Sequence, residues 1–156
     1  MLQQSNNTIT SIYPIGNQTE ELTALYCRLS QDDKQEGDSN SIINQKKILK
    51  RYAIEHGYQP YVFFVDDGFS GTTFNRPGFE KLLEDLYEKK FNTVIVKDLS
   101  RLGRNYIEVG NYIEKVFPLY NIRFIAVNDQ IDSIKNPESV NSIIVPFKNL
   151  INDEYC

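Results

Sequence analysis

Residues Leu22–Asp33 read LTALYCRLSQDD, and this stretch decides how the rest of the chain is interpreted. Its first eight residues, Leu22 to Leu29, have the character of a buried β-strand. Alternation along a strand places Tyr26, Arg28 and Ser30 on the same side. An arginine keeps its charge and is costly to bury unless an anion meets it. The strand therefore predicts an anion beside Arg28, with a serine hydroxyl next to it.

The composition is that of a globular domain. The chain has 156 residues, of which 40% are hydrophobic and 24% are charged, which predicts one domain with a core of its own. No apolar run has the length of a membrane span, and residues 1–20 do not resemble a signal peptide. Cys27 and Cys156 form no disulfide framework, which favours a reducing cytoplasm. The net charge of −4 argues against tight unaided DNA binding but is compatible with a small basic site.

Strands alternate with helices along most of the chain, after a polar segment, residues 1–20, that we interpret as a flexible tail. The apolar pattern predicts strands at residues 22–29, 61–66, 93–97 and 122–127, and helices at residues 41–56, 77–90, 106–120 and 143–155. This alternation indicates right-handed βαβ units. We therefore expect an α/β fold: a three-layer, mainly parallel β-sheet with helices on both faces, followed by a C-terminal helix.

The arginines are concentrated where the predicted strands end. Four of the six lie at, or just after, the carboxyl end of a strand: Arg28, Arg76, Arg101 and Arg104. The carboxyl ends of parallel strands meet at one edge of a sheet, where α/β proteins bind their ligands. Guanidinium groups bind phosphate oxygens in pairs, whereas the lysines of this chain mostly lie on predicted helices. The distribution of arginines predicts an oxyanion site at this edge.

Two other interpretations of the strand ends stay open, and both involve Asp66, Asp67 and Asp98. These carboxylates could form ordinary ion pairs with the arginines, and the chain would then be a non-catalytic receiver-like or oligomerisation module. They could instead hold Mg²⁺, as in a magnesium-dependent nuclease or phosphotransferase. An activity that is insensitive to EDTA would argue against the magnesium-dependent enzyme and for one that acts through the oxyanion site without a metal.

Two polar side chains of the first predicted helix need an explanation. Gln45 lies on the apolar face, where it is either a satisfied core amide or a hydrogen-bonding group that reaches the site. His56 lies at the predicted end of the helix, where an imidazole favours a capping role. Because His56 is the only histidine, a Ser-His-Asp triad is not indicated, and no Cys/His cluster has zinc spacing.

Three segments resemble the catalytic domain of the serine recombinases, the resolvase/invertase superfamily. They are YCRLS (26–30), DDGFSGTTFNRPGF (66–79) and VIVKDLSRLGRN (94–105). The form KDLSRLGRN resembles the large, transposon- or phage-borne branch, and FKNLINDEYC (147–156) is similar to the start of its long helix. The resemblance covers about residues 22–132. It implies a catalytic domain at 21–135 and the start of a truncated interface helix at 136–156, with DNA-binding domains absent.

The resemblance implies a role for each matched residue. Ser30 would attack a DNA phosphodiester, form a 5′-phosphoseryl link and release a 3′-hydroxyl, without metal, ATP or another cofactor. Arg28, Arg101 and Arg104 would hold the scissile phosphate. The supporting residues would be Tyr26, Gln45, Asp67, Ser70, Arg76, Asp98 and Ser100. In one departure from the small resolvases, Ser100 stands where they have an aspartate. Either no acid is needed at that position, or Asp98 replaces it.

The expected partners are DNA recombination sites and further copies of the chain. Ile144, Phe147, Ile151 and Tyr155 recur at spacings of three and four and form one apolar stripe on the last predicted helix. The stripe either packs on the chain's own sheet or, as the resemblance implies, pairs subunits into dimers and tetramers. We expect a cytoplasmic protein encoded by a bacterium, a phage or another mobile element.

We predict that the isolated chain binds DNA weakly and does not prefer a recombination site over random duplex at physiological salt. The sequence ends within an apparently helical run and contains no basic helix or Cys-rich ribbon that would read base edges. A gel-shift assay with both duplexes is the measurement. Nanomolar, site-selective binding would contradict this prediction.

Overall fold

The computed structural model describes residues 22–30, 41–69, 76–103 and 105–142. The predicted tail (1–20) and C-terminal helix (143–155) with its apolar stripe lie outside these residues, as do Ser70, Arg104 and Cys156. In the described part of the chain, no helix is long and apolar enough to span a membrane.

The described strands and helices alternate as predicted. The strands are β1 (Thr23–Ser30), β2 (Tyr61–Phe69), β3 (Thr93–Val96), β4 (Arg123–Ala126) and β5 (Ile131–Asp132). The helices are α1 (Ile42–His56), α2 (Pro77–Tyr87) and α3, which begins as Tyr106–Asn111, continues as a π-helical segment (Tyr112–Val116) and ends as Phe117–Leu119. A 3₁₀ turn (Leu99–Arg101) lies between β3 and α3, and residues 137–142 are also helical.

The strands form one five-stranded sheet in the order β2-β1-β3-β4-β5. The first four are parallel, and β5 is antiparallel to β4. Strand β5 was not predicted because two residues are too short to show an alternating pattern. The sheet is therefore mainly parallel, as expected for the α/β class.

Helices cover both faces of this sheet. On one face, α2 and α3 pack over the side chains of Tyr26, Phe64, Val94 and Phe124. On the other face, Leu49 and Ala53 of α1 pack over Leu25, Cys27, Ile95 and Ile125. Each large apolar side chain that is buried in this way contributes roughly 1.5–3 kcal/mol. The predicted three-layer arrangement is confirmed.

Two predicted boundaries were wrong. Strand β2 extends to Phe69, whereas a loop was predicted to begin at Asp67, because Leu29 pairs with Asp67 and Ser30 with Phe69 across a register shift. Pairing with β1 continues the strand through Asp67 and Phe69, while Gly68 is the extra residue at the register shift and has a positive φ of 78°. Helix α2 ends at Tyr87 rather than at Lys90, and Lys89 has a positive φ of 59° that is incompatible with a continuing helix.

The ends of α1 follow the predicted pattern. The Ser41 hydroxyl accepts a hydrogen bond from the Asn44 N–H at 3.1 Å, and Gly57 closes the helix in the left-handed conformation with φ 78°. Nδ1 of His56 lies 3.0 Å from the Tyr52 carbonyl oxygen, and the two rings stack at 4.0 Å. The His56 side chain therefore packs on the last turn of α1, and the capping role stays a prediction.

We predict that Asp132→Asn lowers the free energy of unfolding by about 1–2 kcal/mol at pH 7. Arg123 Nε and Nη2 donate to the two carboxylate oxygens at 2.9 and 2.7 Å and join β4 to β5. Burial alone would raise the pKa of Asp132, but hydrogen bonds from Arg123 and two backbone N–H groups outweigh it, so the pKa is lowered from its usual 3.8.

A carboxyl group whose pKa is lower in the folded state stabilises the protein above its unfolded pKa. This stabilisation is lost as the pH falls through the folded pKa, so the difference between Asp132→Asn and the parent should shrink below about pH 4. Urea unfolding at pH 7 and pH 3 measures both values, with the exposed Glu138→Gln as control. An equal difference at the two pH values would contradict the prediction.

Candidate active site

The site forms where β1 and β3 end side by side. The two strands are parallel neighbours, with Thr23 opposite Thr93 and Tyr26 opposite Val96. Both therefore end at the same edge of the sheet, with Ser30 closing β1 and the 3₁₀ turn following β3. Of the four arginines predicted for this edge, the structure brings together Arg28, Arg76 and Arg101, whose contacts are given below.

Arg28 and Arg101 donate hydrogen bonds to each other's backbone. Arg28 Nε donates to the Arg101 carbonyl at 3.3 Å, and its Nη2 donates to the Ser100 carbonyl. In return, Arg101 Nη1 donates to the Arg28 carbonyl at 2.8 Å. The two residues are only 8% and 3% exposed, and Ser30, at the end of the same strand, is 8% exposed. The exchange fixes both guanidinium groups and the turn beside the serine.

Gln45 connects α1 to the same point of β1. Its Oε1 accepts from the Arg28 N–H at 3.1 Å, and its Nε2 donates to the Arg28 carbonyl at 2.9 Å. The side chain is completely buried. Gln45 is thus a buried amide with backbone partners, and these partners belong to a residue of the predicted site. The two interpretations of Gln45, a satisfied core amide and a hydrogen-bonding group that reaches the site, are therefore compatible.

Arg76 reaches the turn from the start of α2. Its Nη1 donates to the Leu102 carbonyl at 2.7 Å and approaches the Arg101 carbonyl at 3.4 Å. Its Nη2 lies 2.9 Å from Glu108 Oε1, and the guanidinium lies 4.1 Å above the centre of the Phe79 ring. Arg76 therefore pairs with a carboxylate that the sequence did not single out.

Tyr26 supports the site through Asp66, which caps α2. The Tyr26 hydroxyl donates to Asp66 Oδ2 at 2.6 Å, and the carboxylate accepts from the N–H groups of Gly78 and Phe79 at 2.7 and 2.9 Å. A Cβ on Gly78 would lie 2.6 Å from the Val65 carbonyl oxygen, so this approach requires glycine. Burial and the Asp66 contact both raise the pKa of Tyr26, so the phenol remains a donor. Asp66 is thus a helix cap.

The 3₁₀ turn is held by two further carboxylates. The exposed Ser100 hydroxyl donates to Asp98 Oδ1, which also lies 3.5 Å from Arg101 Nε. The Leu99 N–H donates to Asp129 Oδ2 at 2.7 Å. Asp129 lies in the turn after β4 and carried no signal in the sequence, since a single turn aspartate is common. Asp67, by contrast, is exposed on β2.

A magnesium site at the strand-end carboxylates finds little support among the described residues, and neither does a thiol nucleophile at Cys27. Among these residues, no group of three or more His, Cys, Asp or Glu side chains is arranged to hold a metal ion, so Asp66, Asp67 and Asp98 do not converge on one point. Cys27 packs on the α1 side of the sheet, away from Ser30. Burial raises its pKa to about 12, which keeps the thiol protonated and unreactive at neutral pH.

The chain belongs to the family described as "Resolvase, N terminal domain", whose model matches residues 23–153. The N-terminal catalytic domain of TP901-1 integrase is similar, with 29% identity and a TM-score of 0.73 over 87% of this chain and all of that one. A resolvase-family site-specific recombinase from Streptococcus pneumoniae has 25% identity and a TM-score of 0.65, covering 87% and 91% of the two chains.

A relative from Bacillus phage phi105, described as "Uncharacterized immunity region protein 3", is 34% identical over 68 residues, which are 44% of this chain and 82% of that protein. The family model and the two similar structures identify the chain as a serine recombinase catalytic domain. Serine recombinases are enzymes of site-specific DNA recombination. The family membership confirms the class that the three sequence motifs indicated. It also implies a DNA substrate and oligomeric action.

We predict that Tyr26→Phe lowers the free energy of unfolding by about 1–2 kcal/mol, because the buried Asp66 carboxylate loses one hydrogen-bond donor. Tyr87→Phe is the control, since Tyr87 is exposed and its ring contact with Tyr120 remains possible. Urea denaturation of both variants and the parent measures the effect. Equal stability of the two variants would show that the hydroxyl does not support the α2 cap.

Proposed function

We propose that this domain cleaves and rejoins DNA through a covalent serine intermediate. The Ser30 oxygen attacks the scissile phosphorus, the P–O3′ bond breaks, and the strand leaves with a 3′-hydroxyl while its 5′ phosphate is esterified to Ser30. The serine proton is lost to solvent or a nearby group, and the leaving oxygen takes up a proton. Because the phosphodiester is exchanged for another ester, the reverse reaction rejoins strands without ATP. The burial of Ser30 at the edge where Arg28 and Arg101 interlock carries this proposal.

The arginines supply the catalysis in this proposal. Arg28, Arg101 and Arg104 would stabilise the extra negative charge of the pentacovalent transition state. Donors are most effective when they are oriented before the reaction begins. The carbonyl contacts of Arg28 and Arg101 support this role because they hold the two guanidinium planes in place. No metal ion is required for the step.

The remaining predicted residues would support the pocket. Tyr26, Gln45 and Arg76 would act through the backbone and helix contacts described above, and we assign Asp67, on β2, and Ser70 to the same supporting group. We further propose that Asp98 takes the place of the aspartate that Ser100 replaces. Its Oδ1 accepts from Ser100 Oγ and lies 3.5 Å from Arg101 Nε, and these two contacts support the proposal.

The wider assembly follows the same proposal. DNA recombination sites would be recognised through DNA-binding segments attached to this domain. The predicted interface segment, residues 136–156, would join subunits so that two Ser30 sites act on one duplex and two dimers form the recombining tetramer.

We predict that Ser30→Ala lowers strand cleavage by roughly 10³-fold or more, because the nucleophile is removed. The chain is joined to a DNA-binding domain of known site and incubated with a duplex nicked beside the cut, which traps the adduct. Mass spectrometry should locate a nucleotide on Ser30 of the parent. Arg101→Ala should lose roughly 10²–10³-fold, and EDTA should have no effect.

Glu55→Ala is the control, since Glu55 is exposed on α1 and lies outside the segment that would join subunits. It should cleave at the parental rate. Cleavage by Ser30→Ala within tenfold of the parent would assign the nucleophile to another residue. Loss of activity in EDTA would favour the magnesium-dependent alternative.

A further inference from the structure

Glu108 of α3 is the carboxylate that pairs with Arg76. The Arg76 Nη2 to Glu108 Oε1 distance is 2.9 Å, and the side chains are 17% and 34% exposed. The same guanidinium donates to the Leu102 carbonyl and lies over the Phe79 ring. Arg76 is therefore held on three sides, and Glu108 is the only charged group among these contacts. An ion pair that is partly withdrawn from water is worth more than a pair on the open surface.

Glu108 is itself held in one position. The Asn105 side-chain oxygen caps α3 by accepting from the Glu108 N–H at 2.7 Å. The carboxylate lies against the backbone of Gly103, where a Cβ would come within 3.1 Å of Oε2. The absence of a side chain at Gly103 leaves room for the carboxylate beside the turn. Both members of the pair are thus oriented before any ligand arrives.

We propose that Glu108 is a positioning residue for Arg76 and, through Arg76, for the turn that carries Arg101. This inference rests on the proposed function, because it assigns Glu108 to the reaction at Ser30. The chain of contacts is continuous: Glu108 holds Arg76, and Arg76 donates to the Leu102 carbonyl and approaches that of Arg101. A group that keeps a catalytic turn in place affects the rate even though it does not touch the substrate.

The charge of Glu108 gives this role a distinct kinetic signature. The carboxylate lowers the positive potential at the arginine cluster, so its removal should not weaken the attraction of the DNA phosphate. Its removal does release one end of Arg76. Glu108→Ala should therefore lower the cleavage rate at saturating DNA by roughly 10–100-fold. The DNA concentration at half-maximal rate should stay unchanged or fall.

The experiment uses the fused protein and nicked duplex described above, with thermal unfolding as a check on folding. Glu108→Gln retains an oxygen that accepts from Arg76 and should stay within about fivefold of the parent. Glu55→Ala, on the exposed part of α1, is the matched control and should cleave at the parental rate. If Glu108→Ala does not fold, Glu108→Asp replaces it, and a parental rate of that variant would overturn the inference.

A double-mutant cycle with Arg76→Ala completes the test. Because Glu108 acts through Arg76, Glu108→Ala should change the rate less than about twofold once Arg76 is absent. Independent, multiplying losses would overturn the inference, as would a raised half-maximal DNA concentration with an unchanged maximal rate. If Arg76→Ala has no effect while Ser30→Ala abolishes cleavage, the inference fails and the proposed function stands. Retained cleavage by Ser30→Ala refutes the proposed function instead.

Discussion

The reciprocal exchange between Arg28 and Arg101 is the interaction on which the rest of the site depends. Each guanidinium donates to the backbone of the other residue, so the end of β1 and the turn after β3 form one unit. A buried guanidinium that loses its acceptors is strongly destabilising, since its charge cannot be removed by deprotonation. If the end of β1 or the turn after β3 shifted, a guanidinium group would become exposed or would lose its acceptors. Gln45 reinforces the same point by binding both backbone groups of Arg28.

This arrangement explains how an acidic chain can contain a cluster of arginines such as the proposed phosphate site requires. The net charge of −4 describes the surface as a whole, whereas the field at one edge of the sheet depends on the groups nearest to it. Three arginines meet there, and their closest partners include the carbonyl oxygens of Ser100, Arg101 and Leu102. A carbonyl dipole orients a guanidinium without cancelling its charge. The cluster thus keeps a positive potential in a place that is largely shielded from water, where a developing negative charge is stabilised most.

Several features of the fold were accessible from the sequence, and others were not. The strand-helix alternation and the apolar face of α1 follow from residue spacing alone, because each face must be buried. Strand β5 and the last residues of β2 exist only because a neighbouring strand offers backbone partners. The two alternative interpretations of the strand ends have Asp66 bind an arginine or Mg²⁺. Asp66 instead accepts from Tyr26 and from the first turn of α2, and these contacts depend on how β1, β2 and α2 pack.

The sequence by itself determined the class of fold, the edge of the sheet where the candidate site lies, and the placement of Ser30 two residues after Arg28. These conclusions follow because parallel strands end at one edge and because an arginine at a strand end needs an acceptor. Only the tertiary structure decided which acceptors the arginines use. Arg28 donates to carbonyl oxygens only in the contacts given above. Arg101 donates to the Arg28 carbonyl and lies near Asp98, and Arg76 donates to the Leu102 carbonyl and pairs with Glu108. Every residue carries a backbone carbonyl, so such contacts leave no trace in the sequence and appear only when distant segments are folded together.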